Sequence, residues 1–268
     1  MKNKIQKIFF ILFALILTIS LSSCVVMPFD SEDDNYGDLT NGVMTESVIE
    51  ANFTVFLSSY NKNIVGVKTQ ETSAQGSGVI FYKETTVSQK NTFYILTNNH
   101  VIYKNPNYSY HEYSVRDCYG EVYKASLVCY DPNYDLAVVA FTIDKDYKVL
   151  TFAEKNAEVG DTVISIGQPL GIINSVTIGK IERYSEVSLE GAEGQNSNVS
   201  NVKFNVIKHS APINSGSSGG VLLDKEYNIC GINYAAAVVE DDKSFVSGYA
   251  IPLDKVKTFL TDKFYALF

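Results

Sequence analysis

An all-β fold, a sandwich or a barrel, is what this 268-residue chain predicts. Three observations carry that reading. About a dozen short segments rich in Val, Ile, Tyr and Phe are separated by Gly, Asn and Asp. Little helical periodicity lies between them. Apolar residues make up 46% of the chain, with 18 Tyr and 15 Phe, enough to build a sizeable core.

Taken in order, the chain opens with a basic start (Lys2, Lys4, Lys7) and an unbroken apolar run, Ile8 to Leu17. Leu21-Ser22-Ser23-Cys24 follows. A basic start, an apolar run and small residues before a cut are the layout of an export signal. The run is short against the roughly 18–20 apolar residues that a membrane span needs. Residues 1–23 are therefore expected to be a signal peptide, and residues 24–44, with "FDSEDDNYGDLTNG", a flexible acidic tether. Residues 45–60 admit either a short helix behind Thr45 or a strand, since Phe53, Val55 and Leu57 alternate.

A first set of strands is expected at 63–70, 76–83, 92–98, 112–117, 121–130 and 135–143. A second is expected at 162–167, 175–184, 201–209, 219–224, 228–235 and 248–252. Residues 187–201, rich in Gly, Asn and Ser, read as an exposed loop. "PLDKVKTFLTDKFYALF" closes the chain as a helix, with Val256, Phe259, Leu260 and Phe264 on one face.

The net charge of −8 and the absence of a Lys/Arg cluster argue against a nucleic-acid partner. Cys118, Cys129 and Cys230 are odd in number, so they do not all pair within one chain. Cys118 and Cys129 leave a hairpin disulfide open beside the reading of buried reduced thiols. No Cys/His spacing suggests a metal, and no cofactor is expected.

Chemistry centres on "HSAPINSGSSGG", residues 209–220. Gly216-Ser217-Ser218-Gly219-Gly220 fits G-x-S-x-G around Ser218, a pattern that a plain turn also satisfies. Serine attacks a carbonyl only when a base takes its proton, and the chain offers only His100, His111 and His209. None follows Ser218, which excludes the hydrolase elbow in which histidine comes last. The order His, Asp, Ser remains. His100 ends an apolar strand in "YILTNNHVI", and Asp135 opens another in "DPNYDLAVVAF". Asp131, beside Pro132, reads as a turn residue; His111 reads as a surface histidine; Ser217 is the rival nucleophile.

"GSGVIF", "YILTNNHVI", "DPNYDLAVVAF", "ISIGQPLGIINSVTIGKI", "APINSGSSGGVLLD", "ICGINYA" and "GYAIP" together resemble, in order over about residues 45–262, the trypsin-like serine proteases of the bacterial HtrA type. That resemblance implies two six-stranded antiparallel β-barrels, about 45–150 and 151–268, with the catalytic groups between them. It implies Ser218 as nucleophile, His100 as general base and Asp135 as its orienting carboxylate. The N–H groups of Gly216 and Ser218 would form the oxyanion hole. Pro212 and Ile213, with Gly231, Ile232 and Asn233 in the stretch that runs to Tyr234, would line a specificity pocket. No acid sits there to meet Lys or Arg, so a small or medium apolar side chain is expected before the scissile bond. His209 lies near that pocket, with a structural role as the plainer reading.

Leu-Ser-Ser-Cys further resembles a lipobox, which implies acylation of Cys24 and a lipid anchor. Ser217 stands where the family usually has Asp or Asn, so activation by an ion pair to a newly cut amino terminus is not expected. "NIVG" at 63–66 reads as a strand rather than an activation site. The chain stops about 15 residues after "GYAIPLD", so the family's peptide-sensing PDZ module is expected to be missing. The expected function is a lipid-tethered serine endopeptidase acting on protein or peptide substrates. The alternative is a catalytically silent binding protein or adhesin on the same scaffold. The oligomeric state is left open.

Overall fold

Strand placement follows from which faces each segment must bury. The computed structural model describes residues 46–85, 90–168, 174–186, 199–238 and 244–265. The signal peptide, Cys24, the tether to residue 44 and residues 187–198 of the expected loop lie outside them.

The segment left open at 45–60 contains both structures. Helix α1 spans Glu46–Glu50 and strand β1 spans Asn52–Lys62. The Asn52 side-chain amide donates to the Val48 carbonyl at 2.8 Å, fixing the join. Strands β2 (Lys68–Thr85), β3 (Asn91–Thr97), β4 (Tyr110–Arg116), β5 (Val122–Asp131) and β6 (Leu136–Ile143) follow, with a one-turn helix α2 at Asn99–Ile102. They close a barrel in the order β1-β2-β3-β6-β5-β4. Strands β7 (Thr162–Gly167), β8 (Ser175–Ser185), β9 (Val206–His209), β10 (Val221–Leu223), β11 (Ile229–Val238) and β12 (Phe245–Pro252) close a second in the order β10-β11-β12-β9-β8-β7. Each neighbouring pair in both rings is antiparallel. The expected pair of six-stranded barrels is present.

The strands expected at 63–70 and 76–83 are one continuous strand, β2, and those expected at 201–209 and 219–224 are shorter than the sequence suggested. Residues 63–67 form a turn rather than the start of β2. Asn63 Oδ1 accepts from the N–H groups of Val65 and Val67, and Gly66 turns the chain at φ +83°. Ile64, Val65 and Val67 project into solvent there. The segment 201–209 is a strand only from Val206. Its start is drawn away, because Asn201 N–H donates to the Pro132 carbonyl at 2.7 Å and its side chain donates to Asn133.

Alternation explains the core. On β3 and β6, Phe93, Ile95, Ala137, Val139 and Phe141 fill the first barrel. Tyr94, Leu96, Leu136 and Val138, from the opposite faces, join Ile164, Ile166, Val221, Ile232 and Ile251 of the second barrel in one shared apolar layer. Hence "LAVVAF" is apolar without a break: both of its faces are buried. The second barrel is filled by a smaller set that includes Val163, Ile181, Ile207, Leu222 and Cys230.

The closing helix α3 (Leu253–Phe259) runs into a π-helical turn, Leu260–Phe264. Val256, Phe259, Leu260 and Phe264 are all buried in the shared layer, as their spacing predicts. The Phe264 ring meets Phe81, Tyr82 and Tyr94 of the first barrel at 5.1, 5.6 and 5.0 Å between centroids. Cys118 and Cys129 are unpaired and half-buried, and Cys230 is unpaired and buried, so the hairpin disulfide does not form.

Phe264→Ala is expected to cost about 3–5 kcal/mol, the range for emptying a buried aromatic site, read as a fall in the urea midpoint.

Candidate active site

Residues 100 and 135 meet because β3 and β6 are antiparallel neighbours, with Thr97 opposite Ala137. The end of one strand therefore lies beside the start of the other. Helix α2 carries His100 just past β3, and the turn 131–135 carries Asp135 just before β6. Asp135 is fully buried. Its Oδ1 accepts from the His100 backbone N–H at 2.8 Å, and its Oδ2 lies 2.6 Å from His100 Nδ1. Its carbonyl accepts from the Asn98 side chain at 2.9 Å and from Asn99 N–H at 3.2 Å. These bonds hold Asp135 at φ +49°, the left-handed region that Asp tolerates better than most residues.

Burial alone would pull the His100 imidazole to a lower pKa. The Asp135 charge and hydrogen bond outweigh it, so the net shift is upward from 6.5. The pair is built to hold one ring tautomer, with Nδ1–H on the carboxylate and Nε2 left as the basic atom.

Ser218 comes from the second barrel, on the loop between β9 and β10. Its carbonyl accepts from Ser77 N–H of β2 at 2.8 Å. Gly76 separates it from the residue beside His100: a Cβ at 76 would stand 2.5 Å from Val101 Cγ2 and 2.9 Å from the Ser218 carbonyl oxygen. The Ser218 hydroxyl points to the Tyr234 carbonyl at 3.5 Å, and the Tyr234 ring lies 6.4 Å from the His100 ring, edge to face. The serine and the imidazole thus share Tyr234 as a neighbour, and the hydroxyl's hydrogen bond in this arrangement is to Tyr234 rather than to His100.

Glycine is required around Ser218. Gly216 adopts φ +96° and Gly219 φ +82°, and a Cβ at 219 would come within 2.2 Å of the Ser77 carbonyl oxygen. Among the described residues neither Gly216 N–H nor Ser218 N–H donates a hydrogen bond to backbone. Ser217, the rival nucleophile, is buried, and its Oγ accepts from Asn214 N–H at 3.2 Å. Its short side chain braces the loop from inside.

The remaining candidates divide. Pro212 is half-buried and its carbonyl accepts from Thr177 Oγ1 at 2.8 Å. Ile213 is buried just ahead of the loop. Gly231, Ile232 and Asn233 are packed inside: Ile232 belongs to the shared apolar layer, and Asn233 donates to Ser165 Oγ at 2.8 Å. Asp131 is the turn residue expected, its Oδ1 accepting from Asn133 N–H. His111 is half-buried, with Nδ1 2.9 Å from Ser59 Oγ. Sequence reading did not single out Ser77 or Asn98, and it named Tyr234 only as the end of a pocket-lining stretch. The one available signal was two glycines flanking Ser77, a spacing that close backbone approach demands.

His209 is a buried structural histidine. A Cβ at Gly248, its partner across β9 and β12, would stand 2.1 Å from the ring. Among the described residues neither ring nitrogen has a hydrogen-bond partner, and burial pushes its pKa down to about 4. Below pH 6.5 the unfolded chain takes up a proton that the folded chain refuses, so stability falls as the pH drops toward 4. The loss attributable to His209 between pH 7 and pH 4.5 is about 2 kcal/mol. Urea titrations at the two pH values are expected to differ by that much less in His209→Gln.

Among the described residues no group of three or more His, Cys, Asp or Glu is placed to hold a metal ion, and no helix is long and apolar enough to cross a membrane. The family described as "Trypsin-like peptidase domain" matches residues 76–232. The chain is 35% identical over 240 residues to a protein named "Serine protease Do-like HtrA" of Bacillus subtilis (strain 168), covering 85% of this chain and 49% of that one. It is 31% identical over 193 residues to "Periplasmic serine endoprotease DegP" of Escherichia coli (strain K12), covering 72% and 36%. A solved HtrA-type protease with a tripeptide aligns with TM-score 0.60 at 26% identity, covering 85% of this chain and 62% of that one. The chain spans about half the length, or less, of these curated relatives.

Proposed function

This chain belongs to the HtrA/DegP family of trypsin-like serine proteases, and on that premise we propose that it is a serine endopeptidase using His100, Asp135 and Ser218. The observation that carries the reading is the buried Asp135 carboxylate, bonded to both the backbone and the ring of His100. A binding scaffold has no use for a carboxylate taken out of water to orient an imidazole.

The mechanism follows from the atoms. Ser218 Oγ turns from the Tyr234 carbonyl toward His100, a side-chain rotation open to a half-buried residue; catalytic hydrogen bonds commonly tighten only when substrate is present. Oγ bonds to the substrate carbonyl carbon as its proton passes to His100 Nε2. Asp135 stabilises the resulting imidazolium without taking the proton. The oxyanion meets Gly216 N–H and Ser218 N–H. His100 then protonates the leaving amine, the C–N bond breaks, and an acyl-enzyme remains on Ser218. Water attacks that ester as it gives its proton to His100, and His100 returns that proton to Ser218 Oγ as the acyl C–O bond breaks, releasing the acid and the free serine. Pro212 and Ile213 would line the specificity pocket, with Gly231, Ile232 and Asn233 supporting it from behind. Protein or peptide substrates with a small or medium apolar side chain before the cut fit this set.

The same reading places the protein outside the cytoplasm, cut before Cys24 and held to the membrane by acyl chains on that thiol. Lys2, Lys4 and Lys7 ahead of Ile8–Leu17, and Leu21-Ser22-Ser23-Cys24 after it, support it.

A fluorophosphonate is expected to label the full-length chain in detergent. Ser218→Ala should abolish both labelling and casein hydrolysis; an unlabelled, correctly folded wild type would refute the endopeptidase reading. The rate should climb with pH as His100 loses its proton, with a midpoint above 6.5, because its pKa is raised. A flat profile from pH 5 to 8 would remove His100 from the role of base. Cells fed an alkynyl fatty acid should yield labelled wild type and unlabelled Cys24→Ser; equal labelling of the two would place the lipid elsewhere.

A further inference from the structure

The inference rests on the endopeptidase reading and concerns Ser77 of β2, a residue of the first barrel. We propose that Ser77 is a positioning residue: its hydroxyl holds the loop that carries the oxyanion donors in the setting acyl transfer requires.

Ser77 is buried. Its Oγ donates to the Gly216 carbonyl at 2.7 Å and accepts from Gln168 N–H, just after β7, at 2.8 Å. Its backbone N–H donates to the Ser218 carbonyl at 2.8 Å, and its carbonyl accepts from Thr97 Oγ1 at 2.7 Å. One residue of the first barrel thereby grips two segments of the second, and grips one of them on either side of Ser217.

Each peptide from 216 onward is then pinned. In the peptide joining 216 to 217, the carbonyl is held by Ser77 Oγ and the N–H by the Asn214 carbonyl at 2.9 Å. In the peptide joining 217 to 218, the carbonyl accepts from Gly220 N–H at 2.9 Å. That bond sets the plane whose N–H, that of Ser218, is one oxyanion donor. In the peptide joining 218 to 219, the carbonyl is held by Ser77 N–H and the N–H by the Asn233 carbonyl at 2.9 Å. The other donor, Gly216 N–H, belongs to the peptide joining 215 to 216, where no backbone bond fixes either end among the described residues. Its direction is set by rotation about Gly216, at φ +96°. Gly216 has no side chain to restrict that rotation, so fixing the far side of the residue is what leaves a single hinge. Among the described residues the Ser77 hydroxyl is the side-chain group that does so.

Ser77 Oγ faces Gly167, where an added Cβ would stand in ordinary contact at 3.4 Å. Within that space only a hydroxyl satisfies the Gly216 carbonyl and the Gln168 N–H together, donating to one and accepting from the other.

Loss of the hydroxyl frees the carbonyl of Gly216 and lets the hinge sample settings in which its N–H points away from the oxyanion. Removing one oxyanion donor outright typically costs 10²–10³ in kcat. Ser77 acts one residue away, so Ser77→Ala is expected to lower kcat on casein and the fluorophosphonate labelling rate by about 10- to 100-fold. KM should stay within about threefold, since substrate contacts are untouched. The thermal melt should remain cooperative, and Ser77→Thr, which keeps the hydroxyl, should recover most of the labelling rate.

The proposal is overturned if Ser77→Ala labels at the wild-type rate, or if the change falls on KM with kcat preserved. It is equally overturned if Ser77→Ala loses its cooperative melt, because the hydroxyl would then serve the fold and not the loop, or if a folded Ser77→Thr labels no faster than Ser77→Ala. A wild type that fails to label is a separate outcome, and it counts against the endopeptidase reading itself.

Discussion

One apolar layer, shared by two closed barrels, is the constraint on which the rest of the molecule depends. Leu136 and Val138 from one ring and Ile164, Ile166 and Ile251 from the other are buried in it. A strand that serves this layer while also lining its own barrel must be apolar on both faces, as β3 and β6 of the first barrel are. Polar backbone groups at the ends of such strands have little water to turn to. They are satisfied instead by side chains that the chain has placed there: Asn98 on the Asp135 carbonyl, Thr97 on the Ser77 carbonyl, Ser77 on the Gly216 carbonyl. The site lies at the rim of the layer because that is where strands end and polar groups accumulate.

Much of this was legible in the sequence, for identifiable reasons. "LAVVAF" announced an apolar strand, and the order His, Asp, Ser together with the family resemblance put His100 and Asp135 in one site, where the structure brings the two together. The four residues Val256, Phe259, Leu260 and Phe264 announced a helix face, and all four are buried. Ser218 was distinguished from Ser217 by its register against two glycines, and the structure gives Ser217 an inward hydroxyl bonded to Asn214.

The rest was hidden because it depends on contacts between distant segments. Residues 63–67 have strand composition, yet Asn63 captures two backbone N–H groups and Gly66 adopts positive φ. Residues 201–205 read as a continuation of β9, yet Asn201 is tied to the turn before β6. Ser77 looked like an ordinary strand serine; only the approach of residues 168 and 216 gives its hydroxyl two partners. Tyr234 carries no motif, and its position between His100 and Ser218 arises from the crossing of two barrels. Gly231, Ile232 and Asn233, to which the family resemblance gives a pocket role, are buried on β11.

The three thiols in the described part of the chain have a further consequence. Burial pushes those of Cys118 and Cys129 up to about 11, and that of Cys230 is raised as well. Disulfide exchange proceeds through the thiolate, and at neutral pH a thiol of pKa 11 is ionised to roughly one part in ten thousand. Under oxidising conditions the folded chain would therefore resist scrambled cross-links. The vulnerable interval is the one before the barrels close, when the same thiols ionise as freely as any in water.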